Sequence, residues 1–366
     1  MKRYDAEDRS FAKMLPDVQL LSGLDMASLA KDDRVQTYPV FLPNEEYQFL
    51  HEAAVIEFHG VLHAAWYNCP VTELKGFTPI RGAKSYDGGK TWTEPEMLAQ
   101  DPTGKILYCP PVFGICDDTL FLLMNQMVGA DLIHSLDLYR YNEETGKYDF
   151  LWSRPIPFKL NTNVYHLPNG KLLLPGRIAE LDGFPNTPAV LISDSGKIDG
   201  EWRLVKIAEN GDMPDGSKLV HPELSAVIQG ETITIFCRDD QRQVPILYQS
   251  HDLGETWHGP FAHDIPLIGS KIYSDTLSDG RHYLIGNLYT GIRYDRSRLA
   301  LLFSEPGEMR FTHGLILQDG PGADLPGGIC WHYPVAWEAN GRLYVIYTVS
   351  FGDPVRGAAL SVVELR

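Results

Sequence analysis

Short apolar runs alternate with polar or glycine-bearing turns along most of the chain, and this pattern predicts β-hairpins. Paired apolar runs flank six such turns, which lie at residues 58–61, 116–119, 168–171, 229–232, 278–281 and 339–342. A tight turn between two short apolar runs is typical of a hairpin, whereas a helix needs a longer run with a 3.6-residue period. The turns recur about every 50 to 60 residues, which indicates a repeat protein.

A second motif recurs with the same period. The pattern S-x-D-x-G-x-T-W occurs at residues 85–92 and 250–257, and weaker copies lie at 141–150, 193–202 and 304–311. Each repeat therefore contains a hairpin, a loop, a third strand, this turn and a fourth strand. Four strands per repeat of about 54 residues predict a blade of a β-propeller.

Six repeats predict an all-β protein with a single six-bladed β-propeller and four antiparallel strands in each blade. The sixth repeat ends after its third strand, at residues 357–366. Because a propeller must close to protect its sheet edges, we expect the N-terminal segment, residues 1–50, to supply the missing outer strand, around residues 35–41. Residues 51–366 then form the propeller, and the whole chain is one domain.

The composition agrees with this fold and disfavours several classes of function. Glycine (33) and proline (25) are spread along the chain, as many tight turns require. Acidic residues outnumber basic residues by 48 to 32, and the resulting net charge of −16 disfavours nucleic acid as a partner. The chain begins without a signal-peptide pattern, has no apolar run long enough for a membrane span, and its five cysteines form no CxxC pair. We therefore expect a cytoplasmic protein with no membrane partner.

The S-x-D-x-G-x-T-W turns resemble the Asp boxes of the sialidase-like superfamily, whose members are β-propellers. We expect these turns to be structural. Asp87 and Asp252 can accept hydrogen bonds from turn amides, and Gly89 and Gly254 can adopt positive φ angles. The turns contain too few acidic side chains for a calcium loop.

Polar side chains cluster where the first strand of each predicted blade begins and where the second strand ends. These positions meet at one rim of a propeller, and polar groups near its axis must be paired or must face a ligand. The pattern therefore predicts a binding pocket at this rim. Its candidate substrate-binding residues are Asn68, Arg177, His221, Arg238, Lys271 and Asn287.

The resemblance to sialidases implies roles for three residues of this rim. It implies that Tyr333 attacks the anomeric carbon, that Glu223 takes its proton and that Arg238 holds a substrate carboxylate. A phenol is a weak nucleophile near neutral pH and needs such a base. A guanidinium pairs with a carboxylate through two hydrogen bonds, and sialidases with a tyrosine nucleophile depart from the two-carboxylate scheme of most glycosidases.

The chain departs from the sialidase pattern elsewhere. His51 stands where the first-blade arginine is expected, and it is a candidate catalytic residue. Glu73 is the nearest candidate for the acid that protonates the leaving group. The further clamp arginine must come from the segment that holds Arg293, Arg296 and Arg298, of which we favour Arg293 and Arg298.

Another branch of the superfamily, which acts on glycans containing uronic acids, resembles the chain at several of these positions. The shared features are the first-strand histidine, a W-x-N segment at 66–68, an R-D-D segment at 238–240 and a polar stretch over 270–287. Members of this branch include rhamnosidase-like hydrolases and rhamnosyl-glucuronate lyases, and several use histidine.

Three functions therefore remain open. The first is an exo-acting glycoside hydrolase that removes a terminal residue from an acidic oligosaccharide or glycan. The second is a lyase that cleaves a uronate by β-elimination, and the third is a glycan-binding propeller without catalysis. His59 and His63 straddle a turn instead of sharing a helix face, so we expect neither a catalytic metal nor another cofactor.

Overall fold

The computed structural model describes residues 18–19, 21–129, 132–178, 186–320 and 328–365. Within these ranges the chain forms 26 β-strands and one short 3₁₀ helix, Met26–Ser28. The strands form six sheets, which are the six blades of a propeller, and this confirms the predicted fold. In the described part of the chain, no helix is long and apolar enough to cross a membrane.

Consecutive strands build each blade. Ahead of the first blade lie β1 (Val18–Gln19) and β2 (Val35–Phe41). Blade 1 consists of β3 (Phe49–Phe58), β4 (Val61–Cys69), β5 (Ile80–Ser85) and β6 (Glu96–Ala99), and blade 2 of β7 (Leu107–Cys116), β8 (Thr119–Val128), β9 (Leu132–Asn142) and β10 (Lys147–Arg154). Blade 3 consists of β11 (Phe158–Leu160), β12 (Tyr165–His166), β13 (Leu172–Ile178), β14 (Thr187–Ser193) and β15 (Arg203–Lys206), and its β11 and β12 both pair with β13.

The last three blades repeat the same order from the inside outwards. Blade 4 consists of β16 (Leu224–Gln229), β17 (Thr232–Cys237), β18 (Ile246–Ser250) and β19 (His258–His263). Blade 5 consists of β20 (Tyr273–Thr276), β21 (His282–Asn287), β22 (Arg298–Ser304) and β23 (Phe311–Asp319). Blade 6 contains β24 (Cys330–Ala339), β25 (Arg342–Ser350) and β26 (Arg356–Glu364).

Strand β2 closes the propeller at the residues that the sequence predicted. It pairs antiparallel with β26, with Val35 opposite Val363 and Tyr38 opposite Leu360. Blade 6 thereby gains its fourth strand, in the order β2–β26–β25–β24. The sequence did not predict that β1 also adds to a blade, as a short parallel strand beside β19.

The Asp boxes are self-contained turns between the third and fourth strands. In the first box, Asp87 accepts hydrogen bonds from the Thr91 amide (2.9 Å) and hydroxyl (2.7 Å), and these bonds lower the pKa of its carboxyl to about 2. Gly89 has φ 90°, and a Cβ at this position would collide with Leu360 of the neighbouring blade. The second box repeats this geometry at Asp252, so both boxes hold blades together.

Bulges in the inner strands β3 and β24 change the direction of one side chain in each strand. The pairing of β3 with β4 shifts register between His51 and Ala54, and that of β24 with β25 shifts between His332 and Val335. Inside these bulges Glu52 has φ 47° and Tyr333 has φ 59°, a left-handed conformation that costs a non-glycine residue energy. Equivalent positions of two blades are therefore strained where the strands reach the axis.

The apolar core lies between adjacent blades. Trp66, Phe113, Phe158 and Phe236 are among its fully buried side chains. Because every blade buries both faces except at its outer strand, the sheet positions are rigid, and the inner-strand ends are held around one opening at the axis.

Candidate functional site

A cavity of about 420 Å³ opens at the rim where the inner strands begin. The side chains around it come from every blade except blade 2. They are His51, Glu52, Glu73, Leu74, Lys159, Arg177, His221, Glu223, Arg238, Arg296, Tyr333 and Arg356. Five are cationic and three are carboxylates, so the cavity carries an excess of two positive charges in a chain whose net charge is −16.

A second cavity of about 970 Å³ adjoins the first. The two share His221, Arg238, Arg296 and Arg356, which form the boundary between them. The larger cavity lies over blades 4 to 6, and an extended ligand in the inner cavity can continue into it. Tyr294 lies at its wall and is 49% exposed.

Arg238 connects three other side chains of the site through hydrogen bonds. Its Nη1 donates to Glu223 Oε2 (2.7 Å) and to the Tyr333 hydroxyl (2.7 Å). Its Nε and Nη2 both donate to Asp240 Oδ1, at 3.0 and 2.5 Å. The guanidinium is 6% exposed, so these charge-assisted bonds act in a poorly hydrated environment and fix its plane.

Glu223 and Tyr333 are held in opposite protonation states. Burial alone would raise the pKa of the Glu223 carboxyl, but the charges of Arg238, Arg177 and Lys271 outweigh it and hold that pKa below its ordinary value. Burial raises the pKa of the Tyr333 hydroxyl, although Arg238 acts against this rise. At neutral pH the site therefore contains a carboxylate beside a protonated phenol.

His51 lies against the ring of Tyr333. The two ring centroids are 4.1 Å apart, and His51 Nδ1 bonds to the Thr348 hydroxyl at 2.9 Å. Burial, followed by the charge of Arg356, lowers the pKa of the imidazole well below its ordinary value. The ring is therefore neutral at neutral pH and can accept a proton.

Lys271 and Glu52 form a buried ion pair in which only Glu52 lines the cavity. Their Nζ and Oε2 atoms are 3.5 Å apart, and the two side chains are 2% and 5% exposed. Lys271 Nζ also lies 5.9 Å from the centre of the Tyr333 ring. Lys271 thus contributes charge to the site without lining its cavity.

Several predicted substrate-binding residues lie outside the inner cavity. Asn68 is fully buried and accepts from Trp66 Nε1 at 2.8 Å, and Asn287 donates to the Trp331 carbonyl at 2.7 Å, so both amides bond to the protein itself. Arg298 donates to the Leu29 carbonyl at 3.2 Å and faces the N-terminal segment, which corrects its assignment to the clamp. Arg293 lines the larger cavity and donates to the Asp240 carbonyl at 2.6 Å.

The other predicted residues surround the inner cavity. Tyr333, Glu223, Arg238 and His51 meet at its floor, with Arg177 and His221 on the wall. Glu73 lies in the loop after β4, where Tyr67 donates to its Oε1 at 3.0 Å.

Sequence reasoning missed three basic residues of this cavity. Arg296 was named but not chosen; it lies at the end of the loop between β21 and β22, two residues ahead of Arg298. Arg356 opens the third strand of its blade, a position that the comparison of first and second strands left out. Lys159 lies on β11 directly opposite Arg177, and a basic residue just ahead of the inner-strand entry at residue 161 was the available signal.

Comparison with known proteins agrees with this geometry. A family model for the BNR repeat-like domain matches residues 60–345. No protein among the curated sequences matches the chain significantly. A protein of unknown function from Dyadobacter fermentans has a similar structure, with a TM-score of 0.71 and 17% identity over 92% of this chain and 100% of its own.

Two sialidases are similar in structure as well. The Trypanosoma rangeli sialidase in complex with sialic acid has a TM-score of 0.68 and 14% identity, over 92% of this chain and 60% of that one. A Hadza microbial sialidase has a TM-score of 0.68 and 12% identity, over 87% of this chain and 66% of that one. The chain thus spans about 60% of the trypanosomal enzyme, and at these identities the likeness is one of fold.

Proposed function

The chain belongs to the BNR repeat-like domain family and has a sialidase-like propeller, and from this premise we propose that it is an exo-acting glycoside hydrolase that removes a terminal sugar from an acidic glycan. One observation carries the proposal: a single nitrogen of Arg238 bonds to both Glu223 and Tyr333. The carboxylate and the phenol therefore meet at one guanidinium nitrogen, which supports a base beside its nucleophile; proton transfer requires their two oxygens to approach to direct hydrogen-bond distance when substrate binds.

In the first step, Tyr333 attacks the anomeric carbon and the bond from that carbon to the leaving oxygen breaks. Glu223 accepts the phenolic proton, and Glu73 gives a proton to the leaving oxygen. Arg238 stabilises the charge that develops on the phenol oxygen during attack, since its Nη1 already donates to that oxygen.

In the second step, water hydrolyses the glycosyl–tyrosine bond. The water oxygen bonds to the anomeric carbon, one of its protons goes to Glu73, and Glu223 returns its proton to the departing phenol. Both carboxylates and Tyr333 regain their starting states, so the cycle closes without a cofactor.

Three arginines suit the carboxylate of the substrate. Arg238, Arg296 and Arg356 all line both cavities. The Nε atoms of Arg296 and Arg356 are buried without a hydrogen-bond partner among the described residues. A buried guanidinium N–H that lacks an acceptor favours an anionic ligand, and Arg356 supplies the charge that position 51 lacks.

A second candidate is β-elimination at a uronate, and the contact between His51 and Tyr333 favours it. The neutral imidazole would abstract the C5 proton, the C4–O bond would break with formation of a C4–C5 double bond, and Tyr333 would give its proton to the leaving oxygen. The arginines would stabilise the carboxylate of the intermediate.

Product analysis and two variants separate these reactions. We expect Tyr333→Phe to lose about 10²–10⁴-fold or more in kcat on an acidic oligosaccharide, because its nucleophile is gone. His51→Ala should keep a larger share of activity, and the product should be a saturated sugar. An unsaturated uronate, detected by its ultraviolet absorbance, together with an inactive His51→Ala variant, would assign the lyase reaction instead. If neutral and acidic glycans reacted equally well, the arginines would not be the carboxylate site.

A further inference from the structure

We propose that Lys159 and Arg177 form a second oxyanion subsite, separate from the three arginines, which recognises a second negatively charged group on the glycan. This inference rests on the proposed function and adds a substrate class to it: a doubly anionic glycan, such as one with a sulfate ester or a second carboxylate beside the first. Neither side chain contacts a reacting group in the proposed reaction, and Arg177 acts on it only through the charge that helps to keep Glu223 ionised.

The two cations are neighbours on adjacent strands of blade 3. Lys159 on β11 lies directly opposite Arg177 on β13 in the antiparallel register. Both side chains line the inner cavity. Lys159 is 9% exposed and Arg177 is 7% exposed, so both charges are largely removed from water.

Neither cation has an acceptor among the residues that the structure describes. Arg177 Nε and Nη1 are buried without a hydrogen-bond partner, and no ion pair within 4 Å compensates Lys159 or Arg177. In contrast, Arg238 is paired with Glu223 and Asp240, and Arg242 with Asp239 and Asp215. The structure therefore pairs the charges of Arg238 and Arg242 with carboxylates and leaves this cross-strand pair without one.

Such a pair is unfavourable in the free protein. Like charges directly opposite each other on two strands repel, and a buried charge without a partner loses its hydration with no compensation. Hydrophobic residues would satisfy a merely structural position on these strands better. An oxyanion between the two side chains would supply the missing acceptor for both.

The charge of the cavity agrees with two anionic groups on one ligand. Its lining has an excess of two positive charges. A single carboxylate at the three arginines would leave one of them uncompensated. A second anion at blade 3, across the cavity from blades 5 and 6, would balance the remaining excess charge of the lining.

Titration with inorganic sulfate tests the subsite on the full chain. At constant ionic strength, calorimetry should find two sulfate ions per wild-type molecule, one at each site. In Lys159→Gln and in Arg177→Gln we expect one ion, or a second one bound about 10- to 100-fold more weakly. Lys159→Arg should still bind two sulfate ions, and Arg356→Met should lose the ion at the three arginines.

Thermal stability separates binding from a structural role. Without sulfate, the Lys159→Gln and Arg177→Gln variants should melt at the wild-type temperature or above it, because the repulsion is relieved. Sulfate should then raise the melting temperature of the wild type more than that of either variant. Lower melting temperatures of both variants in sulfate-free buffer, with unchanged sulfate stoichiometry, would overturn the subsite.

A pair of oligosaccharides that differ only in a sulfate ester distinguishes a substrate group from a free ion. We expect the wild type to prefer the sulfated member in kcat/KM by about 10-fold or more, and the glutamine variants to lose that preference. An unchanged preference, despite lost sulfate binding, would overturn the assignment to the substrate. If no glycan reacted at all, the proposed function would fail, while the sulfate titration would still decide whether the subsite exists.

Discussion

Replacing Glu223 with glutamine would remove the base that the proposed mechanism assigns to Tyr333, while leaving a side chain of nearly the same shape. The carboxylate accepts a 2.7 Å hydrogen bond from Arg238 and is 5% exposed. The amide oxygen of glutamine can still accept that bond, but it cannot take up the phenolic proton. The variant therefore tests proton transfer more than geometry.

The structure sets the scale of each effect. Loss of a positioned general base lowers kcat by about 10²–10⁴-fold. Arg238 keeps Asp240 as a partner, so we expect the free energy of unfolding to fall by about 1–3 kcal/mol, the scale of one charged hydrogen bond. Removing one of three carboxylates from the cavity raises its positive excess, and carboxylates such as free glucuronate should bind several-fold more tightly.

Kinetics, a melting curve and inhibition by glucuronate measure the three effects on one preparation. Glu52→Gln is the matched control, because Glu52 is equally buried and lines the same cavity but pairs with Lys271. We expect this control to lose less kcat than Glu223→Gln. A Glu223→Gln variant with near wild-type kcat, or one with activity lost only in proportion to stability, would refute the role of Glu223 as base.

Two further predictions follow from other charges. Arg356→Met should raise KM for an acidic glycan by about 10-fold or more with a smaller change in kcat, because a guanidinium–carboxylate contact is lost. Arg298→Met is the control. Equal effects of the two substitutions on KM would contradict the role of Arg356 in binding the substrate carboxylate. Burial raises the pKa of Asp275 from 3.8 to about 7, so the folded state binds this proton more tightly and stability falls as pH rises from about 4 to 7. Asp275→Asn should therefore match the free energy of unfolding of the wild type at pH 4 and exceed it by about 4 kcal/mol at pH 8 in urea denaturation, whereas parallel pH profiles would contradict this.

The fold was predictable because its signals are local. Glycine or aspartate in each hairpin turn and the Asp boxes at Ser85 and Ser250 fix where strands begin and end, and closure fixes the partner of the last strand. The short β1 strand has no such signal, since two residues that add to an outer edge leave no periodic pattern.

The candidate site was predictable only where side chains belong to the repeat. Glu223 lies just ahead of an inner strand, Arg238 just after a second strand and Tyr333 near the start of another inner strand, and Arg238 donates hydrogen bonds to both of the others. Arg296 and Arg298 are two residues apart, and a regular strand would place both on one face. Arg296 instead lies in the loop before β22 and lines the cavity, whereas Arg298 begins the strand and bonds to Leu29, and sequence spacing alone does not separate them. That choice depends on tertiary packing.

Electrostatics explains why position 51 in blade 1 holds a histidine while Arg356 in blade 6 supplies a cation to the cavity. Position 51 is buried, and the charges of Arg356, Arg296 and Lys271 all act to lower the pKa of the imidazole there. An arginine at position 51 would face the same repulsion and could not lose its proton, whereas the histidine can stay neutral. Arg356 reaches the cavity from β26. Its guanidinium carbon lies 4.6 Å from the centre of the Phe49 ring, a position that favours a cation. The pocket can therefore keep three arginines while position 51 provides a neutral base, and this combination leaves both hydrolysis and elimination chemically accessible to one propeller.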